Sequence, residues 1–283
     1  MANSTGAYGG DEVGAVVLDM GSHSVRAGFA GDDTPKINFP THIGVRNAEG
    51  MIPDENGAVK KKFVLGINNI TAPKENIEIE NPLKSGMIEN WDMFEAIIDH
   101  TFQNHLRTEI NQHPILMTEP ATNERNKREK LTELMFEKYN VPAFYLCKSP
   151  VLSTFASGRS TALVLDSGAS HTTATPVHDG YVLQNGVIRT PLAGDFVMLQ
   201  CRDLMNSLNI DVVPNYMVKS RETVSAGEPA RWVKRSNLPD VTKSWHKFMV
   251  NQVLKDVSHS VFQVSDNELM EQDSNMNIQK VSA

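Results

Sequence analysis

Two stretches of the chain place an aspartate and a glycine directly after an apolar run, a combination suited to holding a phosphate. In the first, three apolar residues precede Asp19, and Gly21, Ser22 and Arg26 follow. Glycine can adopt φ > 0, which lets successive backbone N–H groups converge on an anion. Asp19 could hold a hydrated Mg²⁺, since this ion keeps its waters and takes one or two carboxylates, and Arg26 could reach phosphate oxygens. The alternative interpretation of this stretch alone is a plain glycine–serine hairpin.

The same pattern occurs a second time, far along the chain. An apolar run ends at Asp166, Gly168 follows in a turn, and β-branched residues come next. The separation exceeds the period of any repeat array, so the repetition indicates two similar domain halves. Each half would offer one hairpin to a ligand held between them, with Asp19 and Asp166 flanking a metal ion. Clefts between domains are favoured ligand sites.

These hairpins resemble the phosphate-binding loops of the actin family, and further matches follow in the family's order: Gly28–Asp33, Trp91–Asp92, His100–Phe102, Arg128–Lys130, Asn140–Ala143, Ala156–Arg159 and Leu192–Gly194. The resemblance covers about residues 13–265. It implies an α/β, actin-like (sugar kinase/Hsp70-type) ATPase fold, with duplicated halves around a cleft and an incomplete second half.

The resemblance also implies a ligand, ATP with Mg²⁺, held weakly or not at all. The cofactor-binding residues that it implies are Asp19, Gly21, Ser22, Arg26, Asp166, Gly168 and Gly194. Of these, Asp19 and Asp166 would hold the metal ion, and no residue is expected to be catalytic.

Other stretches resemble one branch of the family, the nuclear actin-like subunits of Brahma/BAF (SWI/SNF-type) chromatin-remodelling complexes. They are Tyr8–Gly14, Arg128–Glu137, Val177–Gln184 and Ser244–His246. This resemblance implies a protein of the nucleus that works in a hetero-oligomer. Its implied partners are actin and a long helix of the remodeller ATPase.

Four positions depart from the family's catalytic pattern. His23 stands where the first loop often has glycine, and a ring there is expected to crowd the turn. Ser149 takes the position of the glutamine that orients the attacking water, while Ala169 and Ser170 replace the last acid and glycine of the second loop. Phosphoryl transfer depends on positioning that water, so we expect little or no ATP hydrolysis.

The domain organisation follows from the resemblance and from local composition. We expect a flexible N-terminus over 1–12, a first actin-like half over 13–158 and a second half over 159–265. A small loop-rich subdomain is expected at about 41–80, where proline, glycine and asparagine are frequent. A polar tail follows over 266–283. The family's further segment is not present, so we expect a truncated product, an unusual isoform or a degenerate copy, with exposed apolar surface and low stability.

Composition limits the classes of partner. The chain has 27 Lys and Arg against 34 Asp and Glu, a formal net charge of −7. Direct nonspecific nucleic-acid binding draws its affinity from Lys and Arg on phosphates, so we expect none. Two cysteines suit a reducing compartment. No apolar run approaches the ~20 residues of a membrane helix, and no signal peptide is visible, so we expect a soluble intracellular protein without membrane contact.

Hydrophobic spacing predicts the elements that position these residues. Helices are expected over 92–106, 122–139, from about 150 to a C-cap at Gly158, from 192–195 onward and over 241–257, with Asn90 or Asp92 capping the first. Strands are expected over 114–117 and 143–146, and 181–184 should pair with 186–190. Residues 209–239 are predicted to have irregular structure. Cys201 and Trp245 are predicted to be core residues.

Three functions remain in competition. The first is an architectural subunit of a nuclear chromatin-remodelling or histone acetyltransferase complex, acting in transcription regulation through protein–protein contacts. The second is a cytoskeletal actin-like ATPase, which Asp19, Gly21 and Asp166 favour and Ser149 and Ala169 oppose. The third is an unstable truncated copy with little function.

Overall fold

The computed structural model describes residues 14–47, 61–225, 228 and 230–264. The predicted N-terminus over 1–12, the tail over 266–283 and part of the loop-rich subdomain therefore lie outside the described residues. Within the described part, one compact unit comprises residues up to Ile70 together with Glu80–Asp195. A second unit comprises Thr71–Ile79 and the residues from Phe196 onward. The predicted boundary at 158 stays a prediction.

The elements follow one another in a mixed α/β order: β1 (Val16–Met20), β2 (Ser24–Phe29), β3 (Ile37–Pro40), β4 (Ile43–Asn47), β5 (Lys61–Val64), α1 (Ile67–Thr71), β6 (Glu78–Glu80), β7 (Leu83–Lys84), β8 (Met87–Ile88), α2 (Trp91–His100), β9 (Ile115–Glu119), α3 (Arg125–Glu133), β10 (Phe144–Lys148), α4 (Ser149–Ala156), β11 (Ala162–Ser167), β12 (Thr172–His178), β13 (Tyr181–Val182), β14 (Ile188–Thr190), α5 (Gly194–Ser207), β15 (Val218–Glu222), β16 (Arg231–Lys234) and α6 (Lys243–Val261). Two π-helical segments, Thr101–Leu106 and Leu134–Lys138, continue α2 and α3.

The first unit is built on a sheet with the strand order β10-β9-β1-β2-β3. Strand β1 is antiparallel to β2 and parallel to β9, and β9 is parallel to β10. Val16 and Leu18 are fully buried in β1, as expected for a central strand covered on its apolar positions. Helix α2 supplies Phe94 and Ile97 to the same core.

A second sheet of the first unit contains the second hairpin. Strands β11 and β12 are antiparallel, with Asp166 opposite Thr173. Val164 and Val177 pack with Val151 of α4 in a small core on one face. The other face has Leu163 and other apolar side chains in solvent, so this sheet is covered on one side only.

The first predicted helix is confirmed up to His100, with Asn90 as its cap: the Asn90 side chain accepts a hydrogen bond from the Met93 N–H at 3.1 Å. Beyond His100 the prediction of one continuous α-helix is wrong. The Phe102 carbonyl accepts from the Arg107 N–H at 2.7 Å, five residues on, which is the π-helical pattern.

The second predicted helix differs in the same way. It begins at Arg125 rather than at 122, and its last part, Leu134–Lys138, is π-helical. Leu131 and Met135 of this helical stretch are buried. Phe136, in the π-helical part, is 42% exposed, because the wider turn changes the direction of its side chain.

Two strand predictions are wrong. Tyr181–Val182 and Ile188–Thr190 do not pair with each other, because each pairs with β12 instead. The stretch over 209–239 was predicted to be irregular, but it contains the antiparallel pair of Val218–Glu222 with Arg231–Lys234. Exposed charged residues in both strands obscure their alternation, which is why the sequence pattern did not reveal them.

The second unit centres on α6, whose Trp245 is fully buried, as predicted. Tyr216 meets the Trp245 ring edge-on at a centroid distance of 4.9 Å. The Thr242 side chain caps the helix by accepting from the Trp245 N–H at 3.2 Å. The Ile79 N–H donates to the Ser244 Oγ at 2.9 Å, which fixes the segment Thr71–Ile79 to the start of α6. Cys201 of α5 is buried, also as predicted.

Within the described residues, no helix combines the length and the apolar composition that crossing a membrane would require.

Replacing Phe94 should test whether this core holds the first unit together. The ring is fully buried, so Phe94→Ala should lower the free energy of unfolding by about 3–5 kcal/mol, the range for deleting a large core side chain. Urea denaturation followed by circular dichroism measures the change. Phe136→Ala is the matched control, because a 42% exposed ring leaves a smaller cavity. Equal losses in both variants would contradict the assignment of the core.

Stability should also fall on mild acidification because of His42. Burial, and then the charge of His23, lowers the pKa of His42 from 6.5 to about 4. Below pH 6.5 the unfolded chain takes up a proton that the folded chain refuses until about pH 4. The free energy of unfolding therefore falls between pH 6.5 and pH 4, and the decrease reaches about 2 kcal/mol at pH 5. Urea unfolding of the wild type and of His42→Asn at both ends of this range measures it; identical pH slopes would refute it.

Candidate functional site

The first turn closes by a short backbone hydrogen bond between its ends. The Gly21 N–H donates to the Ser24 carbonyl at 3.0 Å. The Thr41 hydroxyl donates to the Gly21 carbonyl at 2.6 Å, and the Asn81 amide donates to the Ser22 carbonyl at 2.7 Å. The turn is therefore fixed by side chains from two other segments of the first unit. Sequence reasoning missed both, since neither lies near the turn along the chain.

The second turn repeats the first closely. The Gly168 N–H donates to the His171 carbonyl at 3.0 Å, which is the bond that Gly21 makes in its own turn. Neither glycine has a positive φ, so the predicted reason for a glycine at 21 is wrong. At Gly21 the constraint is the close approach of a carbonyl, since a Cβ there would lie 3.3 Å from the Ser24 oxygen, whereas a Cβ at Gly168 would lie at an ordinary contact distance of 3.5 Å from the His171 oxygen.

Asp19 is held by its neighbours on both sides. The Thr118 hydroxyl donates to Asp19 Oδ1 at 2.6 Å. Arg26, directly opposite across the hairpin, places Nη1 at 3.7 Å from Asp19 Oδ2, with both side chains about half exposed. Arg26 therefore pairs with Asp19 rather than standing free for a phosphate. Such an exposed pair contributes about 0–1 kcal/mol.

Thr118 is the contact that sequence reasoning did not find. It follows Met117, which lies beside Leu18 in the parallel ladder of β1 and β9, so Thr118 and Asp19 come next to each other. The sequence signal for this contact was the hydroxyl of Thr118 directly after the predicted strand over 114–117. Recognising it required knowing that the two strands are parallel neighbours.

The two turns meet through their serines. Ser22 Oγ lies 3.0 Å from Ser170 Oγ, a hydrogen bond between residues far apart in the chain. Ser170 Oγ also lies 2.9 Å from Nδ1 of His171. The hydroxyls that face each other thus belong to different hairpins, and the structure brings together Ser22 and the turn of Gly168. Asp166 lies in the exposed end of β11, opposite Thr173.

His171 is wedged beside the meeting point. Its ring lies so close to Gly86 that a Cβ there would be 2.8 Å from the His171 Cε1. Burial, and then the charge of Arg189, lowers the pKa of His171, while Asp166 acts in the opposite direction. Arg189 in turn donates to the Ser85 carbonyl at 2.6 Å. His171 is therefore neutral near pH 7 and serves the packing of the turn.

Gly194 contacts the second turn by its backbone. Its N–H donates to the Gly168 carbonyl at 3.0 Å, and the next N–H, of Asp195, donates to the Ala169 carbonyl at 2.8 Å. A Cβ on Gly194 would lie 3.4 Å from the Gly168 oxygen, so the close approach favours glycine. Burial raises the pKa of Asp195.

The positions that depart from the catalytic pattern have other contacts. The Ser149 hydroxyl donates to the Glu119 carbonyl at 3.2 Å at the start of α4. His23 is solvent-exposed, and the crowding of the first turn by its ring stays a prediction. Ala169 has no group that could bind a metal-bound water.

The described residues contain no group of three or more His, Cys, Asp or Glu side chains placed to hold a metal ion. A metal role for Asp19 and Asp166 therefore stays a prediction, as do the cofactor roles of Gly21, Ser22, Arg26, Gly168 and Gly194. A phosphate lying between Ser22 and Ser170 would have to separate two hydroxyls that now share one hydrogen bond, since each would need its own contact of about 2.5–3.0 Å.

Comparison with known proteins gives relatives that all point to one family. The protein-family model described as actin matches residues 10–282. Actin-related protein 4 of Arabidopsis thaliana is 39% identical over 277 residues, which cover 92% of this chain and 62% of the relative. The protein of that name from Yarrowia lipolytica is 37% identical over 263 residues, which cover 92% of this chain and 60% of the relative. The one from Schizosaccharomyces pombe is 34% identical over 259 residues, which cover 92% of this chain and 57% of the relative.

The chain thus spans less than two thirds of the length of these curated relatives. The family match nevertheless extends over nearly all of it, and the mixed sheets, the helices and the paired glycine turns agree with that match. The chain belongs to the actin family and has its actin-like α/β fold.

Proposed function

We propose that this protein is an architectural, non-hydrolysing actin-related subunit of a nuclear chromatin-remodelling or histone acetyltransferase complex. It acts in chromatin organisation and transcription regulation through contacts with actin and with a long helix of the remodeller ATPase. The relatives named actin-related protein 4 support the actin-related part of the proposal. The branch-specific stretches, among them Ser244–His246 around the buried Trp245, support the choice of complex.

The observation that carries the proposal is that the polar side chains of the first turn are already bonded to other groups of the protein. Ser22 shares a hydrogen bond with Ser170, and Asp19 is held by Thr118 and Arg26. Each of these polar groups already has a protein partner, so the two turns form a connection within the fold. A scaffold needs that connection, whereas a nucleotide would have to compete with it.

The loss of the water-positioning groups supports the absence of hydrolysis. Serine at 149 is too short to replace a glutamine, and its hydroxyl is bound to the Glu119 carbonyl. Alanine at 169 cannot hold a metal-bound water. Each tenfold loss in rate corresponds to about 1.4 kcal/mol of transition-state stabilisation, so two such losses lower the rate by orders of magnitude.

ATP with Mg²⁺ is proposed as a weak ligand at most. The Ser22 and Ser170 hydroxyls would contact phosphate oxygens, and Asp19 and Asp166 would hold the ion through water. Bound in this way, the nucleotide would supply a charged phosphate chain that links the two turns. The Ser22 and Ser170 hydroxyls link the two turns directly, at 3.0 Å.

An apolar surface supports a role in protein–protein contact. Leu163 and Leu165 on β11 are 73% and 74% exposed, and Ile188 on β14, across β12 in the same sheet, is 69% exposed. Contiguous exposed apolar patches are typical of interaction sites. The net charge of −7 argues against direct binding to nucleic acid, so a chromatin role would depend on protein partners.

The alternative is a cytoskeletal actin-like ATPase, which the retained Asp19, Gly21 and Asp166 favour. These residues keep the carboxylates and the tight turn of a nucleotide site. They do not supply the groups that position the attacking water. A third possibility, an unstable truncated copy, would show no cooperative unfolding transition by circular dichroism.

Purified full chain should release no more phosphate from Mg–ATP than its Asp19→Asn variant. Ser149 and Ala169 leave the attacking water unpositioned, so the expected rate is at least a hundredfold below that of actin, which corresponds to about 2.7 kcal/mol. A coupled phosphate assay, with actin run in parallel, measures it. Turnover comparable to that of actin, abolished in the Asp19→Asn variant, would favour the ATPase over the scaffold.

Affinity purification of the tagged chain from nuclear extract should recover actin and the remodeller ATPase. Leu165→Glu should reduce that recovery, because it places a charge in the centre of the apolar patch without changing a buried position. Gln103→Glu, which adds the same charge at another exposed site of the first unit, should leave recovery unchanged. Recovery without remodeller subunits would refute the proposed complex, and equal recovery by both variants would refute the proposed surface.

A further inference from the structure

His100 and His105 face each other because the helix widens between them. In an α-helix, residues five apart point about 140° away from each other, since each residue turns the chain by about 100°. Here the segment Thr101–Leu106 is π-helical, and its bonds join residues five apart. The last residue of α2 and His105 therefore share one side of the helix. Single π-helical turns inside α-helices are frequent at functional sites.

The separation of the two rings matches the ligand spacing of a metal ion. His105 Nε2 lies 3.2 Å from His100 Nε2. Two imidazole nitrogens bound to one zinc ion at about 2.0–2.1 Å each, in tetrahedral geometry, lie about 3.3–3.4 Å apart. The His105 ring is solvent-exposed, so it can rotate to aim its nitrogen at an ion shared with His100.

A buried aromatic ring supports both histidines. Phe39 stacks on His105 with an interplanar angle of 13° and a centroid distance of 5.2 Å. The same ring meets His100 edge-on at 5.4 Å. Because Phe39 is nearly fully buried in the first core, it is a rigid support. Gly66 lies beside this pair: a Cβ there would be 3.7 Å from His100 Nε2, an ordinary contact distance.

Asn104 supplies the outer contact that metal-binding histidines commonly have. Its side-chain amide lies 2.7 Å from His100 Nδ1. A rotation of this amide by half a turn lets its oxygen accept from a protonated Nδ1, which leaves Nε2 with its lone pair for a metal ion.

We propose that His100 and His105 form a two-histidine site for a divalent first-row transition ion, with Zn²⁺ as the probe. Imidazole suits Zn²⁺, Ni²⁺ and Cu²⁺. Among the described residues no larger cluster of ligating side chains occurs, so His100 and His105 are the two ligands proposed, with water or a partner at the remaining positions. The site lies on the outer side of α2 and is independent of the two glycine turns.

Isothermal titration of the full chain with ZnCl₂ near pH 7.5 tests the proposal. One ion per chain should bind, and His105→Asn and His100→Asn should each weaken binding at least tenfold. His259→Asn removes an exposed histidine on α6 and should leave the affinity unchanged. Circular dichroism checks that the variants remain folded, and His105→Asn should do so because that side chain is exposed.

A second readout separates a chelate from a simple hydrogen bond between the rings. Histidine ring resonances of both residues should shift together when Zn²⁺ is added to the wild type, and His105→Asn should abolish the shift at His100. Absence of zinc binding in the wild type would overturn the proposal. So would an equal affinity in the wild type and in His105→Asn, which would place the ion elsewhere.

Discussion

The position of β1 between two different neighbours is the constraint on which the site depends. Its apolar residues Val16 and Leu18 are fully buried, so the strand cannot shift by one residue without exposing them. Antiparallel β2 then sets Arg26 opposite Asp19, and parallel β9 sets Thr118 beside it. Asp19, the first polar residue after the buried run, therefore has a partner on each neighbouring strand. The register of the core strands decides which side chains contact it.

The two turns show how a repeated local structure can serve different ends. Both close through a glycine N–H bonded to a carbonyl three residues on, at 3.0 Å. In a nucleotide site, turns of this kind face a ligand, whereas here Ser22 and Ser170 face each other. Because Gly194 and Asp195 also donate to the second turn, its carbonyls are occupied too. These hydrogen bonds connect the two turns within the first unit, as the proposed structural role requires.

The sequence predicted what depends on local patterns. Both hairpins, the cap at Asn90 and the buried Trp245 could be predicted, because each follows from residue type and spacing within a short window. The conformation of Gly21 was wrongly predicted, since glycine is required there by a nearby carbonyl and not by φ. The π-helical turns and the contact of Thr118 with Asp19 depend on packing between distant segments. Such contacts leave no signal in a single local pattern.

The sheet of β11 and β12 is covered on one face and exposed on the other. Val164 packs under α4, but Leu163 and Leu165, which alternate with it, point into solvent. A run of apolar residues predicts a strand buried on both faces, yet only one face is covered. Exposed leucines at this density raise the risk of aggregation and are typical of an interaction surface. Covering this face by another protein belongs to the proposed function.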